Sequence, residues 1–373
     1  MITGYIFGSQ GSTSFSVYNF GEIVIGGSHP SGSYYIMWYP LLASGSFSMN
    51  GSTYSMEDYT GYFTDFSGII TSSAFSSTSL TYVSTNAYRI DKSAFFRCSN
   101  LSQAVLTSCN YIDSYAFWLC SSLTYVSLPS CYYIGGTAFD ACDLSELNLP
   151  LCSYIGSSAF WGNKNMVQVS LPLCESVMNE AFNGCLSLSQ VSLPVCTYVG
   201  DRAFTGCTAL SSISLPSCTY LGSVVFGYLP NLSQVSIPLC DRVREQTFAG
   251  CSSLKEIYLP NCSYIESSAF QSCYSLSYVS IPSCKYIGPQ AFYSCSNLTS
   301  IVLPVCSYIG TNAFTGASSF TITMMSNTVC RMGFYPAYTA SKITIYVPSS
   351  LVTAYQYAQY WSGYSSRIFP IPE

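Results

Sequence analysis

The chain has 373 residues, a formal net charge of −5 and only 8% charged side chains. A nucleic-acid binder is excluded, because neutralising phosphates needs a basic stripe that 12 lysines and arginines against 17 acids do not supply. No run of about 18 apolar residues is present either, so no membrane insertion is expected.

The start, MITGYIFGSQGSTSF, has neither a basic n-region nor an apolar h-region, and no signal peptide is expected from it. Residues 1–58 read as β. Short strands are predicted at Ser14–Tyr18, Glu22–Ile25, Tyr34–Tyr39, Phe47–Met49 and Thr53–Met56. Asn50-Gly51 between the last two signals a hairpin, since both turn residues must accept positive φ. This segment is expected to be a β-rich N-terminal cap or an attachment module, a cap serving to shield the open edge of the neighbouring segment. The only histidine, His29, lies in it.

From about Tyr59 one sentence is spelled repeatedly, first in degenerate form with Ile69-Ile70 ahead of Ala74-Phe75. The phenylalanine of the Ala-Phe pair recurs at Phe95, Phe117, Phe139, Phe160, Phe182, Phe204, Phe226, Phe248, Phe270, Phe292 and Phe314, nearly always 22 residues apart. A fixed period in this range marks a solenoid, in which no coil buries its apolar face alone and stacked coils stabilise each other. Length alone would suggest two or more domains, but a solenoid grows in one dimension, so one elongated body is expected over residues 59–320.

Two cysteine ladders share the period. One closes the strand from Cys109 to Cys306; the other follows the Ala-Phe pair from Cys98 to Cys295, with Asn163, Leu229 and Ala317 where three coils skip it. Only Cys330 is left over. A thiol is a small buried hydrophobe with a weak donor, which suits a crowded coil corner, so reduced structural thiols are expected. Equivalent residues about 4.8 Å apart come within disulfide reach, but parallel Cβ vectors make poor bridge geometry. No CxxC occurs, and no metal site is expected.

Proline after the last strand residue, as at Pro129, Pro150 and Pro172, stops pairing and turns the chain. A tyrosine ladder comes next, at Tyr111, Tyr133, Tyr154, Tyr198, Tyr220, Tyr264, Tyr286 and Tyr308. Each precedes an inward apolar residue and should point outward, its ring stacked on its neighbours. Glycines such as Gly135 mark the next turn, and the Ala-Phe pair is expected on a short helical or 3₁₀ turn. The strands would then form a concave face whose outward side chains include Tyr125, Glu146, Gln168, Gln190, Gln234, Glu256, Tyr258 and Tyr278. Such a face suits hydrogen bonding and stacking against another surface and offers no deep pocket. The period breaks once, in CDRVREQTF, where Asp241, Arg242, Arg244 and Glu245 make a charged ridge or a recognition patch.

Residues 321–373 are expected to be a strand-helix C-terminal cap. Lys342–Val347 reads as a last strand, and Leu351, Ala354, Tyr355 and Ala358 fall on one helical face with Gly363 as the stop. Trp361, Tyr364 and Ile368 would extend the cover.

A Ser-His-Asp or Cys-His arrangement has no place on the repeats, and nothing in the spacing selects a carboxylate pair for glycoside hydrolysis. No enzyme activity, catalytic residue or cofactor is expected.

The run LPxCxYIGxxAFxxCxxLxxVxLP resembles the BspA-type leucine-rich repeats, over roughly residues 59–320. The ending IYVPSSLVTAYQYAQYWSGYSSRI also looks like the tail that often closes these arrays in gut bacteria. The resemblance implies a leucine-rich-repeat solenoid, α/β in class but strand-dominated. It also implies an extracellular or cell-surface adhesion protein whose partner is a host or bacterial surface protein or glycan. The alternative is a structural or receptor-binding component of a phage or other particle.

Overall fold

The structure, a computed structural model, describes residues 68–317, 319–334 and 343–372 with their side chains. It describes the backbone alone of Lys342 and of the strands Ile2–Gly8, Gly11–Asn19, Glu22–Val24, Tyr34–Ile36, Ser46–Met49, Ser52–Ser55 and Tyr62–Phe63. His29 lies outside the described residues. Two compact units divide the chain, Met1–Pro172 and Leu173–Glu373.

In the first unit, the N-terminal strands form one six-stranded sheet. Its strand Ile2–Gly8, which no sequence signal picked out, pairs antiparallel with both Gly11–Asn19 and Tyr34–Ile36. Ser46–Met49 pairs with Ser52–Ser55, Met49 opposite Ser52, which is the hairpin expected at Asn50-Gly51.

Coils follow in both units, most of them with two short parallel strands. The first has three residues, as in Gln103–Val105, and pairs in register with its neighbours. The second has two, as in Tyr111–Ile112, and pairs on both sides likewise. Between them Cys131 N–H donates to the Leu128 carbonyl, closing a turn with Pro129 at the position its fixed φ favours. Glycine at the next corner is there for close approach: a Cβ on Gly135 would lie 2.5 Å from the Ser114 nitrogen.

The Ala-Phe segment is where the expected helical turn is corrected. Ser93, Phe95 and Arg97 donate their N–H groups to Ser114, Ala116 and Trp118 of the following coil, at 3.2, 2.7 and 2.8 Å. Ala94, Phe96 and Cys98 close tight turns onto Asp91, Ser93 and Phe95. Ser93 and Arg97 accordingly take left-handed φ of 59° and 57°. The second unit repeats the pattern around Phe204, with Arg202 and Gly206 left-handed. A helix would spend its N–H groups internally and is about 10 Å wide, too wide for coils that stack at about 5 Å. Alternating turns instead give the coil a third inter-coil ladder.

That spacing places identical side chains in columns. Phe75, Phe95, Phe117, Phe139 and Phe160 stack with ring centroids 4.8–5.4 Å apart in the first unit. Phe182 to Phe314 stack likewise in the second, at 5.1–5.8 Å. All nineteen cysteines are free and buried. In one ladder the thiol donates to the preceding coil's phenylalanine carbonyl, as Cys120 does to Phe95 at 3.0 Å. In the other it donates within its own coil, as Cys131 does to the Tyr133 carbonyl at 3.3 Å, except at Cys240, which donates to the Cys218 carbonyl one coil back. Asn163 shows what the thiol is for: fully buried in a cysteine position, it donates to the carbonyls of Phe139 and Phe160 and accepts from the Leu144 N–H. Serines are used similarly, Ser130 and Ser283 donating to the Thr107 and Pro260 carbonyls one coil back.

Burial pushes the thiols up, Cys109, Cys152, Cys251 and Cys295 to about 12 and Cys196 and Cys262 to about 11. They stay protonated at neutral pH and are poor nucleophiles. Cys330 is not left over after all: it interacts with the Cys306 thiol and so extends the strand-closing ladder.

The second unit ends in a four-stranded parallel sheet, Ser300–Leu303, Ser319–Met324, Lys342–Val347 and Ile368–Pro370. The terminal helix is shorter than expected. Val352–Tyr357 is α-helical, and Gly363 is not its stop but lies within the 3₁₀ segment Trp361–Arg367. Of the four residues on the expected apolar face only Tyr355 is buried. Trp361, Tyr364 and Ile368, which are buried, do the covering, so the helix itself has little left to shield. The Tyr355 hydroxyl accepts from the Cys330 N–H at 3.0 Å, and the Trp361 indole donates to the Cys330 carbonyl at 2.7 Å.

Candidate recognition surface

Each three-residue strand turns its middle side chain into the coil and its outer two away from it. All eight predicted surface residues lie in this outward set and are exposed. In the first unit Glu146 stands opposite Gln168, and Asn148 opposite Ser170. Tyr125 pairs instead with Gln103.

In the second unit Glu256 stands opposite Tyr278, and Tyr258 opposite Ser280. The Tyr258 and Tyr278 rings are 5.4 Å apart and inclined at 44°, about half exposed each, and the Tyr258 hydroxyl donates to Glu256 Oε2 at 3.3 Å. Gln234 pairs with Ser212, and Gln190 lies on a strand outside that pair.

Between Gln190 and Gln234 lies a feature that sequence reasoning missed. An open hollow of about 440 Å³ is lined by Gln190, Val191, Ser212, Ile213, Gln234 and Val235, on a face expected only to lack a deep pocket. Its signal was present: Ser212 occupies a column where its neighbours carry glutamine, and the shorter side chain leaves a notch. The strand ladder is also interrupted between Gln190–Ser192 and Ser212–Ser214, and Val191 and Val235 are only half-buried. The lining offers amides, hydroxyls and small apolar patches without a charge, suited to a neutral, hydroxyl-rich group.

The other conspicuous groups belong to the coil itself. Tyr111 and Tyr133 stack at 4.5 Å, as do Tyr198 and Tyr220. Arg242 stands in register with Tyr264, covers its ring at 4.4 Å and pairs with Glu266 at 2.9 Å, while Arg244 covers Tyr220. The break in CDRVREQTF is thus a cation–π and ion-pair substitute for a missing ring. On the first unit's turn edge, Asp140 accepts from Trp118, but its Oδ1 is buried with no partner among the described residues. Burial pushes its carboxyl up to about 6.

Among the described residues no group of three or more histidine, cysteine or acidic side chains could hold a metal, and no helix is long and apolar enough to cross a membrane.

A leucine-rich repeat protein from Bacteroides ovatus has a similar structure, at 21% identity over 100% of both chains with a TM-score of 0.61, which shows the fold. A leucine rich cell surface protein from Faecalibacterium prausnitzii is 20% identical over 91% of this chain and 87% of its own, at a TM-score of 0.40. No curated protein matches. Residues 63–167, 175–299, 219–338 and 285–370 match the BspA type leucine rich repeat region, in 6 copies. The chain therefore belongs to the BspA-type leucine-rich-repeat family.

Proposed function

We propose that this chain is a non-catalytic recognition protein of the cell surface or extracellular space, binding a protein or glycan ligand through the strand face of its second unit. The observation that carries the reading is the adjacency of two features on consecutive coils. The uncharged Gln190–Ser212–Gln234 hollow supplies hydrogen-bonding groups, and the Glu256–Tyr258–Tyr278 cluster supplies ring faces beside it. Exposed tyrosines of this kind give contact area at small entropic cost. Family membership supports the placement, since BspA-type proteins are typically surface-associated and leucine-rich-repeat proteins generally bind proteins. On this reading residues 1–58 are a separate β module that caps or attaches the repeats, residues 59–320 are the binding solenoid, and residues 321–373 close it. Tyr125, Glu146 and Gln168 offer a surface of the same kind on the first unit.

The test is a screen of the purified chain against arrayed glycans, matrix proteins and bacterial surfaces, and then the variant Tyr258→Ala/Tyr278→Ala. Affinity for the ligand found should fall by roughly tenfold or more, as for loss of aromatic anchors, with thermal unfolding unchanged. Unaltered affinity in that variant removes the site from this face.

A further inference from the structure

Three arginines stand where the repeat has its tyrosine: Arg89 in register with Tyr111, Arg242 with Tyr264, and Arg331 with Tyr308. Two of them are fully engaged. Arg89 bonds Asp91 at 2.6 Å and covers the Tyr111 ring at 4.7 Å. Arg242 bonds Glu266 and covers Tyr264. Arg331 does neither: among the described residues it has no acid partner and covers no ring. What adjoins it instead is a half-open cavity of about 640 Å³, lined in part by residues 358–361 of the C-terminal cap. That volume lies within the roughly 300–1,000 Å³ typical of small-molecule sites.

The cavity's walls are unusual for this chain. Tyr308, Phe334, Tyr360 and Trp361 line it together with Gln359. Phe334 and Tyr360 meet edge to face at 5.9 Å, and both are exposed. Tyr360 holds φ at 64°, and among the described residues it is the only non-glycine in left-handed backbone outside the repeating turns. A bulky residue in that region is strained, and such strain is retained where neighbouring structure fixes a side chain in place. Trp361 is buried and held by its bond to the Cys330 carbonyl, so it backs the cavity rigidly while Phe334 and Tyr360 present the accessible rings.

We propose that this cavity is a second binding site, separate from the strand face, and that it takes a carboxylate-bearing saccharide unit of the uronic-acid kind. The carboxylate supplies the counter-ion that Asp91 and Glu266 supply to the other two arginines, in the planar forked geometry a guanidinium favours. The sugar's C–H face packs on the aromatic walls, and Gln359 and the Tyr308 hydroxyl bond its ring hydroxyls.

The whole chain is titrated with a glucuronic acid-terminated disaccharide, its glucose-terminated counterpart and glucose 6-phosphate, with calorimetry and tryptophan fluorescence as readouts. The acid binds and shifts the emission, and the neutral sugar binds roughly tenfold more weakly or less, the loss expected of one charge-assisted pair. Arg331→Gln brings the acid down to the neutral sugar's affinity and leaves the unfolding temperature unchanged, because the side chain is exposed. Phe334→Ala, on an exposed wall, weakens both sugars alike. Equal affinity for acid and neutral sugar, full retention in Arg331→Gln, tighter binding of the phosphate, or no binding up to about 10 mM, a concentration beyond weak specific affinity, each overturns the assignment.

Discussion

The turn edge and the strand face of one coil are built from the same period and behave in opposite ways. Along the turn edge, within each unit, coil after coil donates N–H groups to the next, phenylalanines stack at nearly constant spacing, and even a substituted position such as Asn163 reproduces the bond its cysteine neighbours make. Along the strand face the ladder is interrupted, outward residues run through Gln, Ser, Glu and Tyr, and one short side chain opens a hollow. The difference teaches where each kind of free energy resides. Stability is carried by columns that tolerate little change, while the face that meets solvent is free to vary and hence to recognise.

Removing a ring from the column is the strongest way to break this contrast. Phe204 is fully buried between Phe182 and Phe226, so Phe204→Ala should destabilise by about 3–5 kcal/mol, the usual cost of such a cavity. Urea denaturation measures it, and a loss below about 1 kcal/mol means that the column does not bear the load assigned to it.

Asn163 comes next. Asn163→Leu leaves the Phe139 carbonyl and Leu144 N–H without their partner and should cost about 1–3 kcal/mol, whereas Asn163→Cys restores the thiol of its neighbours and should cost less. Equal losses in the two variants would show volume, not hydrogen bonding, to be what that position needs.

Asp140 gives a smaller effect with a definite sign. Its folded value is about 6 against an ordinary 3.8, so the carboxyl favours folding when protonated, and that contribution is lost as pH rises through the folded value. Asp140→Asn should therefore stabilise the fold at pH 7 by on the order of 1 kcal/mol after allowing for partial exposure, read as a higher unfolding temperature, and the gain should vanish near pH 3. A gain independent of pH points to packing and not to charge.

The smallest change is expected on the strand face, where Tyr258→Ala/Tyr278→Ala should alter stability by no more than about 0.5 kcal/mol.

Legibility in the sequence followed the same division. The period, both cysteine ladders, the tyrosine stack, the Asn50-Gly51 hairpin and the strand Lys342–Val347 could all be read, because each depends on residue type at a fixed offset. The helical turn at Ala-Phe was misread because local pattern does not reveal that a neighbour lies about 5 Å away and needs the N–H groups. The terminal helix was drawn too long because Leu351, Ala354, Tyr355 and Ala358 satisfy a helical period that Trp361 and Tyr364 make redundant. The eight outward residues are exposed as alternation implies, but which of them adjoin was not legible: Tyr125 pairs away from Glu146, and the hollow centres on Ser212, which alternation alone did not distinguish.

Sequence by itself determined the coil, its spacing and the identity of every stacked column, since repetition turns one local rule into a whole architecture. Only the tertiary structure decided where that architecture leaves room. The notch beside Ser212 and the cavity beside Arg331 arise from unequal side chains on adjoining coils and from cap residues brought back across some thirty positions of chain, relations that no single repeat contains.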